Sequence, residues 1–172
     1  MGNPAVQAVS GVTYTKFGNR DEGLATSLAD SGAPLGVLTP RPYDPKEFDV
    51  EDMAACFIRL EGGITVHFKT SWAANIPKNT SGTTILGTAG GLTLNPLTLV
   101  TNMGSYQVDI EPLVPPERPE PFAGHWGETA HLVKVIRGEE ELLVKREEVL
   151  NVMRTLDALY QSAAEGREIV VS

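Results

Sequence analysis

Among 172 residues there is one cysteine, Cys56, so no disulfide can form within the chain. That excludes a small disulfide-stapled scaffold and fits a reducing compartment. The thiol sits in an apolar stretch with no activating group beside it, which reads as core packing and not as a nucleophile. Positive charge is also scarce: 14 Lys and Arg stand against 22 Asp and Glu, for a net charge of −8. Without a basic stripe to follow a phosphate backbone, nucleic-acid binding is excluded. The opening "MGNPAVQAVSG" has neither the basic region nor the apolar core of a signal peptide, and no apolar run is long enough to span a membrane. These absences place the protein in the cytoplasm, with no membrane partner. A strand-like pattern starts directly after Pro4, as though the chain began inside a larger structure.

What is present describes one globular domain over residues 1–172, with 41% hydrophobic and 21% charged residues. Such a length buries about two-thirds of its unfolded surface. "AVQAVSGVTYTKF" (5–17) is rich in β-branched and aromatic residues and predicts a long strand. Residues 18–47 mix Gly, Pro, Asp and Ser with little periodicity, apart from one helical turn expected at Glu22–Ala29. Loops of this length are commonly functional, and this one is expected to shape a pocket. In "DMAACFIRLEGGITVHFKTSWA" (52–73), two strand-like runs flank a Glu61-Gly62-Gly63 turn. Period-two alternation puts Ile64, Val66, Phe68, Thr70 and Trp72 on one face, with Thr65, His67, Lys69 and Ser71 on the other.

A meander of short strands follows, "TTILGT", "GGLTLN", "LTLVTN" and "YQVDIEPL". Its glycines raise the question of a nucleotide loop. A dinucleotide fingerprint is Gly-x-Gly-x-x-Gly between a strand and a helix. Here the spacing is Gly87-x-x-Gly90-Gly91 and a strand follows, so the glycines predict a hairpin. From Asn79 to Val108 no residue is charged. Two readings stand: tight hairpins with Thr and Asn facing water, or a sheet face that meets another protein surface, since interface cores are depleted of charge. The second suits a homo-oligomer.

The proline-rich "PLVPPERPEPFAGHWG" (112–127) predicts a linker. "GETAHLVKVIRG" then reads as a helix, and "REEVLNVMRTLDALYQSAAEG" (146–166) as a stronger one. In the latter, Leu150, Met153, Leu156 or Asp157, Tyr160 and Ala164 follow helical spacing as the apolar face. "REIVV" closes as a strand. Strands followed by helices, without βαβ alternation, predict an α+β fold. The expected architecture is a large, mostly antiparallel, partly mixed sheet with helices on one face and the other face open for oligomerisation.

Candidate chemistry is thin. His125, Glu128 and His131 are spaced three apart, but the zinc pattern His-Glu-x-x-His is absent, and no metal site is expected. His125 and Trp126 follow the proline linker at a helix start, where they either line a substrate cleft or pack the helix entry. Trp72, with Asn75 three residues on, ends a strand at a sheet edge, where an indole either stacks on a sugar or nicotinamide or belongs to the core. Trp72, Asn75, His125 and Trp126 are thus the substrate-contact candidates. His67 reads as solvated. The acidic cluster Asp49, Glu51 and Asp52 precedes a strand with no partner base or nucleophile in view, and a structural role is favoured over acid–base work. No catalytic group and no cofactor-binding residue is assigned.

Three stretches taken together resemble the C-terminal domain of the Gfo/Idh/MocA family (glucose–fructose oxidoreductase, inositol dehydrogenase and rhizopine catabolism). They are "FDVEDMAACFIRLEGGITVHFKTSWAANI", "ILGTAGGLTLNPL" and "VLNVMRTLDALYQSAAEGREIVV". The resemblance covers most of residues 4–17 and 48–172. It implies an NAD(P)-dependent oxidoreductase whose N-terminal Rossmann domain carries the nucleotide loop and a catalytic lysine in Glu-Lys-Pro, with an Asp and a His on a helix at the domain junction. There, a sugar or cyclitol hydroxyl loses its proton as hydride passes to nicotinamide. It implies further that the C-terminal sheet walls the substrate cleft and forms the subunit interface. None of those motifs is in this chain, which begins just after the point where the junction helix would end. In place of the family's Ser or Thr helix cap stands Lys145, a change expected to weaken the helix start by about 1 kcal/mol.

The reading is therefore the substrate-binding and oligomerisation half of such an enzyme, with NAD or NADP bound by the parent protein and none by this chain. A sugar-like polyol is the expected substrate. The alternative is a stand-alone protein-interaction or carbohydrate-binding module without redox activity.

Overall fold

The computed structural model describes residues 2–20, 44–74, 81–94, 96–113 and 123–171. The strands are β1 (Val6–Tyr14), β2 (Met53–Leu60), β3 (Ile64–Ser71), β4 (Thr84–Leu86), β5 (Gly91–Leu94), β6 (Leu97–Met103), β7 (Tyr106–Ile110) and β8 (Ile169–Val170). The helices are α1 (Ala123–Ile136) and α2 (Arg146–Glu165). The fold class is α+β, as expected, and every described strand pairing is antiparallel. The strands fall into two four-stranded sheets, ordered β3-β2-β1-β8 and β4-β5-β6-β7. Contacts divide the chain into two compact units, one of Met1–Asn75 with Leu142–Ser172, the other of Ile76–Glu141.

The first unit holds β1, β2, β3, α2 and β8. The turn joining β2 to β3 places Gly62 and Gly63 at φ of 75° and 74°, a conformation that glycine adopts without a Cβ clash. Register aligns Cys56 with both Gly11 and Phe68, and Ile58 with Val9 and Val66. Those residues therefore share the face that α2 covers, and the period-two reading of β3 holds. The core is small: Val6, Val9, Ala54, Ala158, Leu159 and Ile169, with Cys56, Ile58 and Leu60 packed against it. Cys56 is half-buried, and burial pushes its thiol up from the usual range, away from nucleophilic character.

Helix α2 meets the sheet through a face that differs from the expected one. Its buried residues are Ala158, Leu159 and Ser162, whereas Met153, Leu156 and Tyr160 are 49%, 41% and 50% exposed. The reason is hydrogen bonding to strand β1. The side chain of Asn151 accepts from the Val6 N–H (3.1 Å) and donates to the Pro4 carbonyl (2.7 Å). The Ser162 hydroxyl accepts from the Gly11 N–H (2.9 Å) and donates to the Arg167 carbonyl (2.6 Å). Asn151 and Ser162 lie about 16 Å apart along the helix, and Val6 and Gly11 lie about 16 Å apart along the strand. The two spacings match, so α2 is pinned alongside β1 at both ends. A hydropathy pattern assigns polar side chains outward and misses such a face.

The approach is close enough to require glycine. A Cβ on Gly11 would stand 2.2 Å from Leu159 Cδ1 and 2.8 Å from Cys56 Cβ. At the other end of α2 the expected loss of a cap is partly offset, because the Glu148 carboxylate accepts the Lys145 N–H at 2.7 Å.

In the second unit, register resolves the uncharged meander into two unlike faces. Ile85, Leu92, Leu94, Leu97, Leu99, Met103, Tyr106, Val108 and Ile110 share one face, with Thr101 the only polar member. Thr84, Thr93, Thr98, Asn102, Gln107 and Asp109 share the other, along with Leu86, Gly91 and Val100. The glycine question is settled as well. The Gly87 N–H donates to the Gly90 carbonyl (2.9 Å) between β4 and β5, and a Cβ on Gly90 would stand 2.6 Å from the Val100 carbonyl oxygen. These glycines close a hairpin. Helix α1 begins at Ala123, two residues after the last proline and inside the stretch expected to be linker. The Glu140 carboxylate then folds back beyond its C-terminal end to meet His131 (2.8 Å) and Lys134 (2.5 Å).

Substituting Gly11→Val is expected to destabilise the chain by about 1–3 kcal/mol through overpacking. Urea unfolding followed by circular dichroism measures it, and an unchanged midpoint would refute the tight contact between α2 and β1.

Candidate functional site

The end of the first sheet where β1 leaves and β2 enters is densely hydrogen-bonded. It is organised by Asp52, which is 1% exposed. Its Oδ2 accepts three successive backbone N–H groups, from Lys16 (2.7 Å), Phe17 (2.6 Å) and Gly18 (3.2 Å). The chain leaving β1 must curl to aim three amides at one oxygen, and the carboxylate supplies the negative charge that holds the curl. Burial alone raises the pKa of Asp52, but the amide bonds outweigh it and the net direction is downward. Its Oδ1 is buried without a hydrogen-bond partner.

Trp72 is held at the same corner. Ser71 ends β3, where its hydroxyl donates to the Asp52 carbonyl (2.7 Å) and accepts the N–H groups of Ala73 (3.3 Å) and Ala74 (3.0 Å). That turn presents the indole, whose Nε1–H donates to the Glu51 carbonyl at 3.2 Å. The Phe48 ring lies 5.7 Å from the indole, centroid to centroid, tilted by 50°. Phe48 in turn fills the space where Gly18 lacks a side chain, since a Cβ there would stand 2.2 Å from its ring. On the far side, the Tyr160 hydroxyl donates to Glu51 Oε1 (2.6 Å), a bond that raises the phenol pKa. Trp72 remains 55% exposed. It is fastened by one edge with much of its surface open, an arrangement suited to stacking against the C–H face of a sugar ring or another flat ligand.

Of the acidic cluster, Asp52 is committed to backbone amides and Glu51 to Tyr160, so the pair acts in support of the corner. Phe48, Ser71 and Tyr160 carry Trp72 and were not legible as such. Tyr160 had the signal of a helix apolar face, and its partner lies 109 residues away in sequence. Asn75 lies outside the described residues. His125 and Trp126 belong to the other unit, in the first turns of α1, with Trp126 73% exposed. His125 Nδ1 lies 3.6 Å from Glu128, while His131 turns to Glu140. The three-apart spacing therefore does not converge, and among the described residues no three His, Cys, Asp or Glu side chains form a metal-binding group. His67 is exposed on its strand, with its ring edge-on to Phe57 at 4.7 Å.

The family model described as "Oxidoreductase family, C-terminal alpha/beta domain" matches residues 3–171. The chain belongs to this Gfo/Idh/MocA oxidoreductase family, as its C-terminal domain. Solved structures agree on the fold. An oxidoreductase domain protein from Kribbella flavida superposes with a TM-score of 0.67 at 18% identity, over 97% of this chain and 44% of its own. The aldose-aldose oxidoreductase of Caulobacter crescentus, solved with glycerol, gives 0.60 at 18% identity, over 98% and 42%. An oxidoreductase from Agrobacterium radiobacter, solved with NAD+, L-tartaric acid and magnesium, gives 0.59 at 16% identity, over 96% and 43%. This chain thus spans about two-fifths of each of these relatives. No curated protein matches its sequence.

Because the folded pKa of Asp52 lies below its unfolded value, its contribution is present above about pH 4 and is lost as pH falls through the folded value. Asp52→Ala is expected to cost about 1–3 kcal/mol at neutral pH, from buried amides left without an acceptor. It is also expected to flatten the loss of stability between pH 4 and lower pH, about where free aspartate titrates. Urea melts at a series of pH values test both, and parallel curves for the two proteins would exclude the clamp.

Proposed function

We propose that this chain is the substrate-facing and oligomerising half of an NAD(P)-dependent oxidoreductase acting on a sugar or cyclitol hydroxyl. The observation that carries the reading is the supported, half-open indole of Trp72 in a domain of an oxidoreductase family. Support also comes from the relatives' own ligands, glycerol in one and NAD+ with L-tartaric acid in another. The described residues do not fit the coenzyme. The clustered glycines among those described, Gly62-Gly63 and Gly87 with Gly90-Gly91, close turns between strands, where a phosphate loop would open a helix. Nicotinamide binding and proton transfer therefore belong, on this reading, to a Rossmann domain on polypeptide outside these residues. What the chain supplies is orientation: Trp72 stacks the substrate ring, and Asn75, His125 and Trp126 are assigned as further contacts. The enzyme works in the cytoplasm.

The oligomer reading is supported by the second sheet. Its apolar face carries Leu94, Leu99, Met103, Tyr106 and Ile110 at 39–78% exposure, in a stretch almost free of charge. A second copy of the chain, offering the same face, covers it.

Two measurements test the proposal. NADH or NADPH added to this chain is expected to show no enhanced nicotinamide fluorescence, and tight binding would refute the division of labour. Sedimentation is expected to show a dimer or higher oligomer that Leu99→Lys shifts to monomer while Thr98→Lys, on the polar face, does not. A monomer at all concentrations would remove the oligomer reading.

A further inference from the structure

We draw no further inference here: the strongest candidate, the exposed apolar stripe of Val149, Val152, Met153, Leu156 and Tyr160 along helix α2, carries none, because nothing in the structure shows what covers it.

Discussion

Two polar side chains on one helix, each bonded to the backbone of one strand, are the constraint on which the first unit depends. Asn151 and Ser162 grip β1 near Val6 and at Gly11. Each such bond contributes only about 0.5–1.5 kcal/mol net. Their larger effect is geometric, because satisfying both at once fixes the rotation of α2, its direction along the strand and its height above the sheet. The height is low, and glycine at position 11 is the condition for it. Leu159 then reaches down to the sheet at Gly11 and Cys56, and Val9 becomes fully buried.

That choice of rotation propagates outward. A helix that spends polar residues on its core contact must carry its apolar residues elsewhere, and in α2 Val149, Val152, Met153, Leu156 and Tyr160 form a stripe that stays 41–58% exposed. Tyr160, at the end of that stripe, meets Glu51, and Glu51 accepts from Trp72. The rotation that hides Ser162 is therefore the one that also braces the indole. The packing of the helix and the presentation of the candidate binding residue are two results of one arrangement.

Asp52 does for the loops what α2 does for the strands. Its side chain gathers the chain leaving β1 and its carbonyl accepts from Ser71, so three segments distant in sequence converge on one residue. A buried carboxylate is unfavourable unless charge-assisted bonds compensate it, and three amides do so here. Such a residue is sensitive to substitution without taking part in chemistry. This agrees with the structural role favoured for the acidic cluster on sequence grounds.

Periodicity alone determined much of the fold: the β2–β3 hairpin at Gly62-Gly63, the alternation of β3, the glycine hairpin at 87–91, and an α+β class. Each depends on interactions between residues close in the chain, where side-chain direction follows from spacing. The family resemblance was equally legible, since it rests on the order of short motifs. Which face of α2 is buried was decided only in three dimensions. So were the supports of Trp72 and the sorting of the uncharged meander into an apolar and a polar face. Those features arise from partners such as Asn151 with Val6, Tyr160 with Glu51 and Leu99 with Ile110. A polar residue facing inward and one facing water have the same local pattern, and only the distant backbone that it bonds to distinguishes them.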